Sequence, residues 1–324
     1  MLSFAFIGCG NAARFHADVL SGLNRRIIAV SARKQSPHIV AFAKEYQVPY
    51  IYDNWQKMLA QEKPDALIVA VSWDQTEKII EDVIKSGIPC LIEKPVALSS
   101  KKLIEIISAT EKFNQNVLVG YNRRFYDFIP RLKEAVESGG LISVDLNMPE
   151  AVDSIVKTYS RDIVDHILLY MSSHWLDLLM YLIGDMRIDY LHRGGSDAVH
   201  RAYNGMLYST RYDVPVHLKA NFNAPDRISI TFNFKDTIYK LCPIEVLTIY
   251  KGMERIDVDG KNKIRRYTPK VFETHEVSAD YKPGFYSQMD NFIETCVRRS
   301  RPNERGCTLD DALRVARLCE RIKG

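Results

Sequence analysis

The 324-residue sequence predicts an α/β protein in two domains: a doubly wound parallel sheet over residues 1–120, then an α+β domain with a large, open, mostly antiparallel sheet over residues 121–324. Three observations lead there. Short apolar runs alternate with helical stripes from Leu2 to Val119, the pattern of βα units whose strands lie parallel. From Met186 onward, segments of alternating apolar and polar residues take over, separated by turn signals such as Asp259-Gly260, as an antiparallel sheet with one wet face requires. The length suits two cores of ordinary size, and the 46 % apolar content can fill them.

The first strand, carrying Leu2, Phe4, Ala5, Phe6 and Ile7, stops at Gly8-Cys9-Gly10-Asn11-Ala12-Ala13. A helix with Ala12, Ala13, Phe15, His16, Val19 and Leu20 at helical spacing begins at once. Strand, G-x-G-x-x-A turn and helix are the parts of a Rossmann dinucleotide site. Gly8 permits the sharp turn, Gly10 lets the backbone approach a pyrophosphate, and Ala13 lets the helix lie close on the sheet. Free N–H groups around Gly10, Asn11 and Ala12, with the positive end of the helix dipole, would face the phosphates.

The second strand, Ile27 to Ser31, decides which dinucleotide. An NAD site places a carboxylate here for the ribose 2′-hydroxyl, whereas an NADP site offers cations to a 2′-phosphate. The sequence has Ser31, Arg33 and Lys34 and no acid, which predicts NADP, with NAD as the second choice. The competing reading is a solvated basic loop, with the ribose held by main chain.

Ser36-Pro37 then reads as the N-cap and first turn of a helix with Ile39, Phe42, Ala43 and Tyr46 on one face. Asp53 with Gln56 resembles a capping box for a short helix carrying Trp55, Met58 and Leu59. Ala66 to Val71 is a buried strand; Ile79, Ile80, Val83 and Ile84 form a helical stripe; Cys90-Leu91-Ile92 and Val117-Leu118-Val119 are further strands. Ligands of such sheets gather beyond the carboxyl ends of the strands. That singles out Gly8 to Ala13, then Ser72 to Thr76 with Ser72, Trp73 and Thr76, then Glu93-Lys94-Pro95. An amine at Lys94, enclosed beside a positively charged nicotinamide ring, would have its pKa lowered and could exchange a proton with a carbinol hydroxyl. Pro95 would fix its direction, a cis bond being one means.

At these residues the chain resembles the Gfo/Idh/MocA oxidoreductases. The resemblance covers nearly the whole chain. It rests on the early glycine turn, Tyr52-Asp53-Asn54-Trp55, Glu93-Lys94-Pro95, Gly120-Tyr121-Asn122-Arg123-Arg124-Phe125, and His174 with Asp177 three residues on. It implies a two-domain NAD(P)-dependent enzyme acting on a carbinol of a sugar, polyol or nucleotide sugar, with Lys94 matching the lysine regarded as catalytic. Three departures stand out. Where the family often has Pro-x-x-x-His, this chain has Ser72-Trp73-Asp74-Gln75-Thr76. The family's glycine-rich lead-in to its Asp-x-x-x-His pair is missing, and Tyr170 stands where the pair's Asp would be.

In the second half, Ile129, Leu132, Ala135 and Val136 mark a helix ending near Gly139-Gly140, and a strand near Leu141 to Leu146 follows. A long helix is then expected, with Val164, Ile167, Leu168, Met171, Trp175, Leu178, Leu179 and Leu182 inward, ended by Gly184. Tyr170, His174 and Asp177 at i, i+4 and i+7 would share a face, with His174 meeting substrate and Asp177 orienting it. His174 alternatively reads as a satisfied core histidine, and Tyr170 as either a replacement proton donor or a space filler. His166 and His174, eight helical residues or about 12 Å apart, are too distant to share a metal, so no metal is expected.

Four strands are expected at Val216 to Phe222, Ile228 to Phe234, Val246 to Tyr250 and Arg255 to Val258. By resemblance such a sheet packs on its counterpart, giving a homodimer or homotetramer. Lys261, Lys263, Arg265 and Arg266 read as a solvated hairpin edge. Tyr281 to Phe285 leads into a helix, and a last helix from Thr308 is expected to pack back on the first domain. Tyr121, Arg124, Asp177 and Lys282 are candidate substrate contacts, because the family's pocket lies between its domains.

The remaining composition narrows the function. A net charge of +4, without a basic run interleaved with aromatics, argues against nucleic acid. Six scattered cysteines with no C-x-x-C pair, and no secretory leader ahead of the first strand, point to a reduced cytoplasmic protein; the apolar stretches are too short or too interrupted for a bilayer. Two functions compete: a dehydrogenase or reductase moving a hydride between NADP(H) and a sugar-like substrate, and a dinucleotide-binding regulator that kept the fold and lost the chemistry.

Overall fold

The computed structural model describes residues 2–33, 38–159, 161–257 and 265–324. The predicted cap at Ser36-Pro37, the turn at Asp259-Gly260 and the cations Lys34, Lys261 and Lys263 lie outside them. Residues group into two units. The first comprises 1–126, 176–178 and 279–320, and the second 127–175, 179–278 and 321–324. The first unit thus runs past residue 120 and takes in the chain around the last two helices.

The first unit is built on a six-stranded parallel sheet of β1 (Ser3–Ile7), β2 (Arg26–Ser31), β3 (Tyr50–Tyr52), β4 (Ala66–Val69), β5 (Cys90–Ile92) and β6 (Val117–Val119). Its order is β3-β2-β1-β4-β5-β6. The chain builds outward from β1 in one direction, then returns to its other side with β4. That reversal between β1 and β4 is the topological switch point where ligands of such sheets bind. The strands are nearly continuous apolar runs because helices cover both faces.

Five helices fill the connections: α1 (Asn11–Gly22), α2 (Ile39–Glu45), α3 (Trp55–Glu62), α4 (Thr76–Lys85) and α5 (Ser100–Ala109). The cap of α3 differs from expectation. Asn54, not Asp53, is the N-cap, its side chain accepting the Lys57 N–H at 2.8 Å. Phe6 packs on Phe42 at 5.3 Å between ring centroids, in a core shared with Leu20, Ile68 and Leu118. Phe285, Met289 and Phe292 join the same core.

In the second unit, α6 (Ile129–Glu137), β7 (Leu141–Asn147) and α7 (Val152–Thr158) come first. The long helix expected over 164–182 is instead three pieces: a 3-10 turn Arg161–His166, a π turn Leu168–Ser172 and α8 (Ser173–Ile183). The π turn, with its i→i+5 repeat, interrupts the regular α geometry between Tyr170 and His174. Gly184, at φ 81°, closes α8 as expected.

An eight-stranded sheet adds β8 (Met186–Gly195), β9 (Arg201–Ser209), β10 (Pro215–Asn221), β11 (Ser229–Phe234), β12 (Thr237–Leu241), β13 (Val246–Asp257) and β14 (Arg265–Glu276). The order is β14-β13-β12-β11-β7-β10-β9-β8, antiparallel except between β7 and β10. The two strands expected around Val246 and Arg255 are the single strand β13, with register shifts against β14 between Ile249 and Met253. Alternation sets the faces: Val144, Leu146, Val216 and Leu218 are buried, while Asp145 and His217 meet on the open face at 2.9 Å. Arg265 and Arg266 open the edge strand β14 and are exposed.

Toward the carboxyl end, α9 (Phe285–Phe292) and α10 (Leu309–Lys323) complete the helices. Thr308 and Asp311 cap α10 reciprocally: the Asp311 N–H donates to Thr308 Oγ1 at 3.1 Å, and the Thr308 N–H to Asp311 Oδ2 at 3.2 Å.

Candidate active site

Gly8 and Gly10 serve different needs. Gly8 has φ +105°, and a Cβ there would lie 2.1 Å from the Ala70 carbonyl oxygen, so the end of β4 leaves room for glycine alone. At Gly10 no atom lies within 4 Å of where a Cβ would sit. The turn is therefore open where a phosphate would approach. Gly10 is the N-cap of α1 with no side-chain cap, and the first turn of the helix carries no acid. Its leading N–H groups, at Asn11, Ala12 and Ala13, fall within the part of a helix that has no intrahelical acceptor. The residues present thus fit a dinucleotide pyrophosphate.

The end of β2 works differently from the sequence expectation. The Ser31 carbonyl accepts the Gly8 N–H at 2.8 Å, and the Ser31 side chain is buried. Ser31 steadies the turn through its backbone, and its hydroxyl is not offered to a ribose. Arg33 is exposed and has no hydrogen bond or ion pair among the described residues. Beyond β4, the Gln75 N–H donates to the Ser72 carbonyl at 2.8 Å, closing a turn that leaves Ser72 exposed and Trp73 half-buried. Thr76, predicted as a nucleotide contact, is buried as the first residue of α4. Asp74 anchors this turn: burial works against its charge, but hydrogen bonds from Gln75 and Ser72 prevail and hold its carboxyl below the ordinary range.

Glu93 and Lys94 follow β5, and the Lys94-Pro95 bond is cis. Both side chains are half-buried. The Glu93 N–H donates to the Val69 carbonyl at 2.8 Å, and its Oε1 lies 2.9 Å from Nε2 of His16. The partnership with His16 was not anticipated from sequence, where His16 read as one more residue of the apolar stripe of α1. A histidine in that stripe, with an acid at a neighbouring strand end, is the signal that could have found it.

Tyr121 and Arg124, expected as substrate contacts, are both buried. Tyr121 is buried just after β6. Arg124 donates from Nε and Nη2 to Asp177 at 2.9 and 2.6 Å, and from Nη1 to Asp311 at 3.1 Å and the Gly306 carbonyl at 3.3 Å. Burial opposes the Arg124 charge, but Asp177 and Asp311 outweigh it and raise its pKa above the usual value. Arg124 and Asp177, expected as substrate contacts, are enclosed and paired with each other. Both Asp177 oxygens accept from Arg124. Lys282 is exposed, its ammonium 5.6 Å over the Phe15 ring of α1.

In the second unit His174 is enclosed, at 6 % exposure, and Tyr170 is half-buried, edge-on to Tyr159 at 5.5 Å. Glu150 is a buried acid missed in the sequence, accepting from Ser172 Oγ at 2.9 Å and Trp175 Nε1 at 3.1 Å. Among the described residues no group of three His, Cys, Asp or Glu is arranged to hold a metal ion, and no helix is long and apolar enough to cross a membrane.

Residues 2–121 match the Gfo/Idh/MocA profile, described as an oxidoreductase family with an NAD-binding Rossmann fold. Residues 2–121 thus carry the NAD-binding domain of that family. The chain is 23 % identical over 330 residues to an uncharacterized oxidoreductase of Bacillus subtilis (strain 168), over 96 % of this chain and 90 % of that one. It is 28 % identical over 193 residues to an inositol 2-dehydrogenase of Burkholderia ambifaria, an alignment spanning 57 % of this chain and 55 % of the enzyme. Among solved structures, an oxidoreductase of Thermotoga maritima superimposes with a TM-score of 0.78 at 17 % identity, over 98 % of this chain and 94 % of that one. A Bordetella pertussis dehydrogenase solved with NADH and UDP-GlcNAcA gives 0.72 at 17 % identity, over 99 % and 95 %. At such identities these structures show a shared fold.

Proposed function

We propose that this chain is a dehydrogenase or reductase of the Gfo/Idh/MocA kind, moving a hydride between NADP(H) and a carbinol or ketone of a sugar, polyol or nucleotide sugar. One observation carries the reading. The open turn at Gly10 and the half-buried Lys94 stand at the same edge of the sheet, at the tips of β1 and β5 with β4 between. Two strand spacings are about 10 Å, a span suited to a dinucleotide with its phosphates on α1 and its ring toward Lys94. A bound nicotinamide supplies the hydride chemistry. The protein's part is to seat it, to orient the carbinol carbon, and to hold or release a proton at Lys94 Nζ.

NADP preference rests on Arg33, an exposed cation at the end of β2. His174, with Tyr170 as a second candidate, enters as a proton partner on the strength of the family motif. Sugar-like substrates are inferred from relatives such as the inositol 2-dehydrogenase and the structure solved with UDP-GlcNAcA. The open polar face of the eight-stranded sheet would seat a second copy, and six free thiols suit a reducing cytoplasm.

Fluorescence titration with NADPH and NADH, followed by oxidation assays over polyols, free sugars and nucleotide sugars, tests the reading. Turnover that is lost in Lys94→Ala supports it. The absence of the family's carboxylate at Tyr170 favours a second reading, a nucleotide-binding regulator. Tight NADPH binding with no turnover on any of these substrates, unchanged by Lys94→Ala, would establish that reading instead.

A further inference from the structure

His16 lies on the second turn of α1, fully enclosed, its ring 4.7 Å from that of Phe285. Nε2 is 2.9 Å from Glu93 Oε1, while Nδ1 is buried with no hydrogen-bond partner. A carboxylate can only accept, so Nε2 carries the hydrogen that ties His16 to Glu93.

A buried ring nitrogen left unmet is costly. A phenyl ring would pack on Phe285 without that cost, so packing alone does not account for an imidazole. What the imidazole adds is its hold on Glu93. That side chain is confined on another side as well, for a Cβ on Gly120 would lie 3.1 Å from the Glu93 carboxyl carbon and both oxygens. Its N–H is tied to the Val69 carbonyl at 2.8 Å. Helix α1, the end of β4 and the end of β6 therefore close on Glu93, and Lys94 follows one peptide later.

We propose that His16 is a positioning residue: through Glu93 it ties the helix that begins at the glycine turn to the backbone that aims Lys94. The importance of aiming Lys94 rests on the dehydrogenase reading above. The tie itself does not.

Three measurements test the proposal. Ring ¹⁵N shifts should show a hydrogen on His16 Nε2. In His16→Phe, which keeps the ring contact with Phe285 and removes the donor, reductive methylation of Lys94 followed by mass spectrometry should change severalfold while Lys85 on α4 does not. Turnover should fall by roughly tenfold to hundredfold with nucleotide Kd little changed, and His16→Gln, which can still donate, should recover most of it. Glu93→Ala should reproduce the Lys94 shift, and the double variant should add nothing, which keeps the test intact if one single variant folds poorly. Wild-type Lys94 reactivity in both single variants, or a His16 Nε2 without a hydrogen, overturns the proposal. A shift in Lys94 reactivity in a protein that turns over no substrate upholds the tie and sinks the dehydrogenase reading.

Discussion

Arg124 and Asp177 form a two-bonded ion pair, Nε to Oδ2 and Nη2 to Oδ1, with side-chain exposures of 5 % and 0 %. Either charge left alone would be stranded away from water. Arg124→Ala or Asp177→Ala should each cost about 3–5 kcal/mol of stability, read as a lowered urea midpoint with unchanged slope. Arg124→Lys should restore little, since a single ammonium cannot make both bonds. Replacing the pair by Met and Leu together should cost less than either single change. A near-neutral Asp177→Ala would show that the pair holds nothing together.

Asp311 extends this pair and links stability to pH. Burial works against its charge, but Arg124 and Arg314 prevail and lower its pKa from the ordinary carboxylate value. A carboxylate whose folded pKa is depressed stabilises the fold above its unfolded pKa, about 3.9, and that contribution disappears as pH falls through the folded value. Wild-type stability should therefore fall as pH drops below about 4, and Asp311→Asn should be less stable at neutral pH with a flatter acid limb. Parallel acid limbs in the two proteins would show that Asp311 is not held in its charged form.

The sheet-forming runs were legible because burial on both faces writes itself as uninterrupted apolar residues, as at Phe4 to Ile7 and Ala66 to Val69. The glycine turn was legible because its parts are contiguous. Side-chain partnerships were not, because residues 16 and 93, or 124, 177 and 311, are brought together only by the fold. The helix over 164–182 was misjudged for a related reason. A π turn at Leu168–Ser172 leaves the apolar spacing nearly intact, so periodicity alone does not reveal that the helix is broken into three pieces. Ser31 and Tyr121 lie at strand ends and Thr76 opens α4, but position along the chain does not reveal which way a side chain turns.

Gly8 and Gly10 should separate folding from binding. Gly8→Ala sets a methyl group against the Ala70 carbonyl and requires φ +105° of an L-residue, so it should lower the melting temperature by several degrees. Gly10→Ala meets nothing within the protein, so the melt should be unchanged. Its methyl group would occupy the approach to the helix start, and NADPH affinity should fall by roughly tenfold or more. Unaltered NADPH binding in a folded Gly10→Ala protein would place the nucleotide elsewhere.

The proposed preference for NADP rests on Arg33. It is exposed at the end of β2, with neither an ion pair nor a hydrogen bond among the described residues, and no acid follows Ser31 before it. A 2′-phosphate there would gain a charge-assisted bond that the NADH hydroxyl cannot match. Arg33→Ala should weaken NADPH by roughly tenfold, about 1.4 kcal/mol, while leaving NADH nearly unchanged, and higher salt should narrow the wild-type difference in the same direction. Arg33→Asp should go further and reverse the preference, since a carboxylate repels the phosphate and accepts from the ribose hydroxyl. Titration of the three proteins with both nucleotides measures each step. If the wild type binds NADH more tightly, or if Arg33→Ala weakens both nucleotides equally, the arginine is a solvated loop cation and the ribose is held by main chain.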